Sequence, residues 1–508
     1  MSYYDEELVA LKQIRASALA KIEGDLYMGA DDLESALAGS KLTSQAEVLA
    51  RLLNRENLFI SGPAGSGKSS VINRFVEWMD ALYDGNINIA ITASTGIASA
   101  LIGGRTIHSW SGLGAAKTRL NLKNIPGLAW SARSRILEAD VLVIDEISML
   151  PAYFFEDLDK LLRYFRRDKR PFGGIQLILM GDFLQLPPVP SRDNEGNELD
   201  SRFAIHTEAW AKAKLQACYL DKVHRTTDKR LKYALAHIAA GKVDELTKQI
   251  VESREGLDRK PDKAYTKLFT INRNIDAYNA QKLAENPHRE ERFRAIKQGN
   301  ATDVQKLMKQ NNIIETLALK MDATVMVTAN VENAQNGSLG KIVGLSDEQI
   351  VVRLNDGRDA VLVRSQYKHE VTQKAIDPLT KKQVTFEEVT ASVYQFPVKL
   401  GYAISVHKSQ GQTFDGVEAD LSKCFAAGLG YVALSRVRDL DDLIVTNLNK
   451  SVYSINEDSL EITKKLRRLA KRGRAEFVEN LDHYQKLLTD DDEKSAIWSR
   501  YVREHAEL

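Results

Sequence analysis

The sequence has little cysteine and no long hydrophobic run, and these absences exclude several classes of protein. Only Cys218 and Cys424 occur among its 508 residues, which excludes a disulfide scaffold and a cysteine-built zinc site. No stretch reaches the roughly eighteen uninterrupted apolar residues that a membrane-spanning helix needs. The N-terminus is acidic, whereas a signal peptide begins with basic and then apolar residues. We therefore expect a protein of a reducing compartment.

An excess of charge of either sign is also lacking. Lysine and arginine (70) balance aspartate and glutamate (69), and the net charge of +1 does not itself indicate a nucleic-acid partner. Any such partner must bind to local patches. Proline is scarce, at 11 residues, and no low-complexity linker stands out, so domain boundaries must be inferred from changes of pattern. The length corresponds to about three domains.

Changes of pattern divide the chain into five segments. They are a helical N-terminal extension (1–40), a first α/β lobe (41–215, with a small insertion near 108–130), a second α/β lobe (216–340 and 396–450), a β-rich insertion (341–395) and a basic helical tail (451–508). Near-continuous apolar strands in the first lobe suit a parallel sheet that is covered on both faces; they are predicted at 57–60, 87–91, 141–144 and 175–180. The short strands predicted near 341–344, 349–353 and 359–363 are typical of a small antiparallel β-barrel.

A glycine-rich loop fits the phosphate-cradle pattern fully. Its residues are Gly62, Pro63, Ala64, Gly65, Ser66, Gly67, Lys68 and Ser69. A predicted strand precedes the loop and a predicted helix follows it, so backbone N–H groups can converge on phosphate oxygens at the positive end of the helix. Lys68 adds a positive charge for the β- and γ-phosphates, and the Ser69 hydroxyl can bind Mg²⁺. The alternative, a structural glycine turn, does not explain this strand–loop–helix setting.

Two adjacent acids, Asp145 and Glu146, directly follow the strand predicted at 141–144. Paired carboxylates at the end of a buried strand are costly unless a cation lies there. Asp145 is therefore the natural metal partner, and Glu146 the natural base for an attacking water. The alternative is a strand that ends in solvated acids, and the phosphate loop upstream argues against it.

Local chemistry alone leaves the roles of three further residues open. Gln185, in the segment 181–188 after another buried strand, is either a sensor of the γ-phosphate or part of a rigid turn. Arg225 and Arg436 either reach a phosphate or are ordinary surface arginines, which is the usual place of that residue.

The motifs in order resemble those of superfamily I helicases, and more specifically the petite-integration-frequency (Pif) family, relatives of the RecD-like helicases. Segment 146–159 resembles the signature that separates this family from other helicases. Further matches lie at 92–98, 106–110, 181–188, 270–273 and 405–413, so the resemblance covers about 42–448. Two positions depart from the family pattern: Thr226 stands where glutamine is common, and 428–431 lacks the usual Gly-Gln. The implied fold is α/β, with two RecA-like parallel-sheet lobes of the P-loop NTPase type and a β-barrel insertion in the second.

The resemblance implies roles for individual residues. Gln45 would read the adenine edge, Ser70 and Gly411 would join the phosphate loop in binding the nucleotide, and Gln185 would contact the γ-phosphate. Arg225 and Arg436 would reach across from the second lobe as arginine fingers. The single-strand track would be lined by short polar side chains that contact phosphates without reading bases; these are Thr92, Ser94, Thr95, Thr106, His108, His407 and Ser409.

The implied activity is that of an ATP-dependent DNA helicase. It would use ATP and Mg²⁺, move on single-stranded DNA from 5′ to 3′, and unwind forked or structured DNA in replication, repair or recombination, with proteins of those processes as further partners. No membrane partner is expected, and the location would be the cytoplasm, in association with the nucleoid, for a prokaryotic or viral source. An RNA motor is one alternative, since contacts to the backbone do not easily exclude a 2′-hydroxyl. A clamp without turnover is another, although the complete set of catalytic residues argues against it.

Two regions outside the motifs carry hypotheses of their own. The basic run 464–474 is either a solvated face or an auxiliary grip on phosphates, and Ile462, Leu466 and Leu469 are predicted to form its apolar seam. The segment from Trp110 to Trp130 is either a strand-separating wedge or ordinary packing.

Overall fold

A computed structural model describes residues 42–484 apart from several short gaps, at 84–86, 115–118, 123–124, 126–129, 131, 194, 261–262, 264, 312, 330, 335, 356, 377–382 and 482. The helices predicted within 1–40 lie outside the described residues. Two compact units are present: one joins the residues up to Lys263 with those from Gln410 onward, and the other is Ala264–Ser409. The segments 216–263 and 410–450, predicted for the second lobe, thus belong to the same unit as the phosphate loop.

Helices and strands alternate through most of the described chain. The α-helices are α1 (Gln45–Leu53), α2 (Lys68–Tyr83), α3 (Gly96–Leu101), α4 (Ile107–Ser111), α5 (Arg133–Glu138), α6 (Ala152–Arg166), α7 (Glu208–Lys212), α8 (Lys229–Ala239), α9 (Glu245–Glu252), α10 (Asn272–Glu285), α11 (Ala301–Gln310), α12 (Leu429–Leu434) and α13 (Glu457–Glu479). None of these described helices is both long and apolar enough to cross a membrane.

The β-strands are likewise numbered in chain order. They are β1 (Leu58–Ser61), β2 (Ile89–Ala93), β3 (Arg105–Thr106), β4 (Val141–Asp145), β5 (Gln176–Gly181), β6 (Gln216–Tyr219), β7 (Thr266–Phe269), β8 (Glu291–Arg294), β9 (Ile296–Gly299), β10 (Thr316–Leu319), β11 (Thr324–Val327), β12 (Leu339–Leu345), β13 (Ile350–Leu354), β14 (Asp359–Leu362), β15 (Ser365–Ile376), β16 (Gln383–Gln395), β17 (Val398–Leu400), β18 (Ala403–Ser405), β19 (Val417–Asp420) and β20 (Leu443–Thr446).

The first unit is built on a six-stranded sheet in the order β3-β2-β4-β5-β1-β6. Each neighbouring pair is parallel, and Leu58 of β1 is in register with Ile178 on one side and Gln216 on the other. The predicted parallel sheet is confirmed. The predicted lobe boundary at 215 falls just before β6, which is the last strand of this sheet.

Both faces of this sheet are buried, which explains the near-continuous apolar strands. Along β1, Leu58 and Ile60 point into one hydrophobic cluster, whereas Phe59 points into the other. Successive side chains of a strand alternate between faces, so helices on both sides require apolar residues at nearly every position. The polar motifs of the sequence follow the carboxyl ends of these strands, at one edge of the sheet.

The second unit is mainly antiparallel. Strands β14, β13, β12, β11 and β17 form one sheet in that order, and β15, β16 and β9 form another. The strands predicted within 341–363 are confirmed as β12, β13 and β14. The two sheets extend beyond the predicted 341–395, because β11 pairs with β12 and with β17 in the first sheet, and β9 pairs with β16 in the second. The unit also holds the short parallel pair β7 and β18.

The tail forms the long helix α13, which packs on the edge strand β6. Its buried residues include Ile462, Leu466, Ala470 and Phe477, whereas Leu469 is 45% exposed. The predicted seam is therefore correct at two positions and wrong at Leu469, because the helix turns its 462–466–470–473–477 stripe to the sheet. Most basic side chains of 464–474 stay on the exposed face.

The insertion near 108–130 is only partly described. Trp110 is buried in the core, so it is a packing residue and does not form a wedge. Trp130 is half exposed and lies edge-on against Phe165, with ring centroids 5.1 Å apart. The insertion is anchored to α6, since Asp157 accepts a hydrogen bond from the Leu120 backbone at 2.8 Å.

Candidate functional site

The phosphate loop joins β1 to α2, as the sequence pattern predicts. Gly65 and Gly67 have φ angles of 79° and 87°, which favour glycine. Steric contacts also disfavour any larger residue at both positions. A Cβ on Gly65 would lie 2.3 Å from the Cβ of Arg225, and a Cβ on Gly67 would lie 2.2 Å from Nε2 of Gln45. The two glycines therefore let residues from two distant motifs contact the loop.

The Lys68 ammonium lies inside the loop. Its Nζ donates hydrogen bonds to the carbonyl oxygens of Gly62 at 2.7 Å and Pro63 at 3.1 Å. Burial lowers the pKa of Lys68, while the charges of Asp182, Glu146 and Asp145 oppose that change. The lysine thus places a buried positive charge among three acids, where a polyphosphate would meet it directly. Ser66 is a loop residue with a buried hydroxyl, and Ser69 and Ser70 are exposed on the first turn of α2.

The two acids at the end of β4, Asp145 as its last residue and Glu146 directly after it, adopt different positions. Asp145 is buried, its Oδ1 accepts a hydrogen bond from the Glu146 backbone at 2.7 Å, and burial together with the charge of Glu146 raises its pKa to about 7. Glu146 has a φ of 52°, a left-handed conformation that is uncommon outside glycine and often marks functional sites. Its carboxylate accepts a hydrogen bond from Nε2 of Gln410 at 2.9 Å. Gly411 follows, and a Cβ there would lie 3.7 Å from Oε1 of Glu146.

The donors present fit one divalent cation of the magnesium type. Asp145 supplies a buried carboxylate that a cation would keep ionised, and Ser69 supplies a hydroxyl. Magnesium is commonly held by one or two protein ligands, with water and substrate phosphates completing its coordination. In keeping with that pattern, no cluster of three or more His, Cys, Asp or Glu side chains suited to a metal occurs among the described residues.

Asp182 and Gln185 lie at the end of β5. Asp182 is buried and accepts hydrogen bonds from the Leu184 backbone at 3.1 Å and from Nε2 of Gln185 at 3.3 Å. Burial raises the pKa of Asp182 and the nearby Lys68 lowers it. The Oε1 of Gln185 is buried without a hydrogen-bond partner. Asp182 thus orients the glutamine amide near the lysine, in the region assigned to the γ-phosphate.

Both candidate arginine fingers lie in the unit of the phosphate loop. Arg436 is 1% exposed and donates to the carbonyl oxygens of Val432 at 2.7 Å and Gln412 at 3.1 Å. The guanidinium of Arg225 reaches the same Gln412 oxygen at 3.5 Å. Burial and the charge of Arg225 lower the pKa of Arg436 to about 10, so it remains charged at neutral pH. Neither arginine is the ordinary surface residue of the alternative interpretation.

Three residues of this site carry no role in the sequence interpretation. Gln410 contacts the predicted base, Asp182 lies between Lys68 and Gln185, and the buried Tyr431 side chain lies beside the Ala64 backbone of the phosphate loop. Gln410 and Asp182 lie inside motifs that the sequence analysis names. A polar side chain at each of these positions is the sequence feature that could have indicated a role in the site. Tyr431 lies in the segment that departs from the family pattern.

The predicted DNA contacts of the first unit lie where β2 and β3 end. Ser94 donates to the Glu146 carbonyl at 2.8 Å, and Thr95 and Thr106 accept hydrogen bonds from the first turns of α3 and α4. His108 lies 4.3 Å from the Phe154 ring, and burial lowers its pKa to about 4. The imidazole is therefore neutral at pH 7.

The structure corrects the expectation for Thr92 and Ser409. Thr92 is 0% exposed, and its hydroxyl donates to the Val143 carbonyl at 2.6 Å inside the sheet. Ser409 is likewise fully buried and donates to the Val406 carbonyl at 2.8 Å. Neither hydroxyl is presented to a phosphate, because both side chains are fully buried, whereas Ser94 is partly exposed. His407 is partly exposed, and burial lowers its pKa.

Comparison with known proteins places these motifs in a family. A profile of PIF1-like helicases matches residues 43–262. The ATP-dependent DNA helicase Pif1 of Psychrobacter sp. is 32% identical over 453 residues, covering 80% of this chain and 68% of that protein. The ATP-dependent DNA helicase PIF1 of Danio rerio is 34% identical over 434 residues, covering 84% of this chain and 64% of that protein.

The chain is also similar in three dimensions to a solved helicase structure. The Pif1 helicase from Bacteroides in complex with ADP-AlF3 and single-stranded DNA superposes with a TM-score of 0.68 at 27% identity, covering 84% of this chain and 98% of that one. Against the two sequence relatives, the chain spans about two thirds of their length.

Proposed function

The chain belongs to the PIF1-like helicase family, and we propose that it is an ATP-dependent DNA helicase powered by the site around the phosphate loop. One observation carries the proposal. Three charged residues from distant motifs, Glu146, Arg225 and Arg436, lie around Lys68 of one glycine-rich loop within a single compact unit. A clamp that binds nucleotide without turnover has no need for a base and two arginines at this place.

The residues of this chain divide the work of hydrolysis. Lys68, Arg225 and Arg436 place positive charge where negative charge develops on the transferred phosphoryl group. Glu146 takes the proton of the attacking water, and Gln410 holds its carboxylate in one orientation. Ser69 and Asp145 would hold Mg²⁺, which when bound supplies positive charge to the phosphate oxygens. Gln45, whose side chain lies against Gly67, would read the adenine edge.

Replacing Glu146 with glutamine should trap the ATP-bound state. The amide keeps the size of the side chain and can still accept the hydrogen bond from Gln410, but it cannot take a proton. We expect hydrolysis to fall on the order of 10²-fold or more, while nucleotide binding, measured with a fluorescent ATP analogue, persists. The exposed Glu252→Gln on α9 is the matched control and should hydrolyse ATP normally. Normal hydrolysis by Glu146→Gln, or loss of nucleotide binding, would contradict the assignment.

We further propose that DNA lies along the ends of β2 and β3 and is translocated from 5′ to 3′. Ser94, Thr95, Thr106 and His108 offer hydroxyls and a neutral imidazole there, which suits contact with a backbone of any sequence. The family resemblance supports the direction, and forked or structured DNA is the proposed substrate.

An unwinding assay tests the direction. Forks with only a 5′ single-stranded tail should be unwound, and forks with only a 3′ tail should not. The opposite preference would overturn the proposed polarity. Hydrolysis stimulated by DNA and RNA homopolymers, compared at equal length, separates the DNA motor from an RNA motor: stronger stimulation by RNA would favour the alternative.

A further inference from the structure

The segment 42–45, which leads into α1, holds the glutamine assigned to adenine. Thr43 is fixed to β6, since its backbone N–H donates to the Tyr219 carbonyl at 3.2 Å and its hydroxyl accepts from the Tyr219 backbone at 3.0 Å. Ser44 caps α1 by accepting a hydrogen bond from the Glu47 backbone at 3.1 Å. The position of Gln45 therefore depends on how firmly this short segment is held.

The C-terminal helix α13 supplies an additional anchor. Arg474 donates from Nη1 to the Leu42 carbonyl at 2.9 Å, and the same nitrogen lies 3.8 Å from Oε2 of Glu47. The Arg474 side chain is only 19% exposed. One arginine thus binds the start of the adenine segment and the first turn of α1 together.

A second arginine adds to this contact: it belongs to α1 and binds α13. Arg51 of α1 is almost fully buried and donates from Nη2 to the Gly473 carbonyl of α13 at 2.6 Å and from Nε to Glu47 at 3.2 Å. Its guanidinium also lies 5.1 Å from the centroid of the Phe477 ring. The α13 backbone is therefore held at the residue that precedes Arg474, so that the Arg474 side chain starts from a fixed point.

The charges show why Arg474 matters. Glu47 is 1% exposed, and its Oε2 has no hydrogen-bond partner. The guanidinium of Arg474 lies 3.8 Å from that oxygen, and Arg51 is bound to Oε1 at 3.2 Å. A buried carboxylate needs such compensation. Removing Arg474 would leave Glu47 less compensated and the Leu42 carbonyl without this donor.

We propose that Arg474 is a positioning residue that holds segment 42–45 in place, so that the C-terminal helix sets the preference of the nucleotide site for adenine. The inference rests on the proposed function, because it takes Gln45 as the reader of the adenine edge. The described contacts of Arg474 are with Leu42 and Glu47, which lie outside the set of Lys68, Glu146, Arg225 and Arg436. Its effect therefore falls on nucleotide affinity and base preference, while turnover at saturation is preserved.

The test compares Arg474→Ala with two reference variants in the full-length protein. Steady-state hydrolysis with saturating single-stranded DNA gives KM and kcat for ATP and for GTP. Arg474→Ala should raise KM for ATP on the order of fivefold or more, the lower range of coupling between linked sites. It should leave kcat within about twofold and change KM for GTP much less. Arg472→Ala removes an exposed arginine two residues away that pairs with Glu476, and it should change none of these constants.

The second reference variant, Gln45→Ala, decides between the possible outcomes. Gln45→Ala should reduce the preference for ATP over GTP in the same direction as Arg474→Ala. If Gln45→Ala reduces the preference and Arg474→Ala does not, only the role of Arg474 is overturned. If Gln45→Ala has no effect, the adenine assignment fails, and the inference fails with it. An equal rise of KM for both nucleotides in Arg474→Ala would show general loosening and overturn the positioning role.

A milder substitution at the same position serves as the control for a folding defect. Arg474→Gln keeps a donor for the Leu42 carbonyl but loses the charge that faces Glu47. If Arg474→Ala is too unstable to assay, Arg474→Gln must show the same selective rise of KM for ATP, at smaller amplitude. Unchanged ATP and GTP constants in Arg474→Gln would then overturn the proposal.

Discussion

Lys68→Ala is expected to abolish ATP hydrolysis while single-stranded DNA binding remains measurable. The ammonium is bound only by the loop carbonyls of Gly62 and Pro63 in the contacts described, so it is available to phosphates. Loss of a preorganised charge of this kind lowers turnover by at least about a hundredfold. Its removal also leaves the neighbouring acids Asp145 and Asp182 with less counter-charge, which should weaken nucleotide binding as well.

Two measurements check this expectation. Steady-state hydrolysis with saturating single-stranded DNA gives turnover, and fluorescence anisotropy of a labelled strand without nucleotide gives DNA binding. Lys232→Ala, an exposed lysine on α8 in the same unit, is the matched control and should retain both activities. Turnover by Lys68→Ala above about a tenth of the wild-type value would contradict the phosphate-site assignment.

The parts of this site that the sequence predicts are those in which local pattern and chemistry coincide. The phosphate loop needs a strand before it, a helix after it and glycines at positive φ, and all of these leave a mark within a short stretch of sequence. Asp145 and Glu146 are visible for the same reason, because two acids at the end of an apolar strand conflict with burial.

What the sequence does not show depends on contacts between distant residues. Thr92 matches a motif of polar residues, but the alternation along β2 turns its hydroxyl into the sheet, where it meets the Val143 carbonyl. Gln410 is one polar residue among several until the fold brings it to Glu146. Leu469 fits helical spacing as well as Ala470 does, and only packing against β6 decides that Ala470 is the buried one.

The extent of the first unit is another feature that the sequence does not show. β6 begins with the exposed Gln216 and has only four residues, so it lacks the long apolar run by which β4 and β5 were recognised. It nevertheless pairs with β1 along its whole length. This strand also carries Tyr219, which fixes Thr43 and supports the adenine segment. A short edge strand that the pattern passed over thus connects the tail helix to the nucleotide site.

The second large effect is expected for Arg436→Ala. An arginine finger acts mainly when charge develops in the transition state, and its loss lowers turnover on the order of 10³-fold. ATP affinity should change far less than turnover. The exposed Arg438→Ala, two residues further along, is the control and should stay near wild type. Stopped-flow binding of a fluorescent ATP analogue separates the two quantities, and near-normal turnover of Arg436→Ala would exclude the finger role.

Arg225→Ala should lower turnover in the same way, and the double variant tests whether the two arginines act together. Their guanidiniums share the Gln412 carbonyl oxygen, so both approach the same region of the site. Residues that act as a unit show strongly non-additive losses. The double variant Arg225→Ala/Arg436→Ala should therefore lose little more than the more severe single variant. Losses that multiply would mean that each arginine stabilises a separate charge, and that only one of them meets the transferred phosphoryl group.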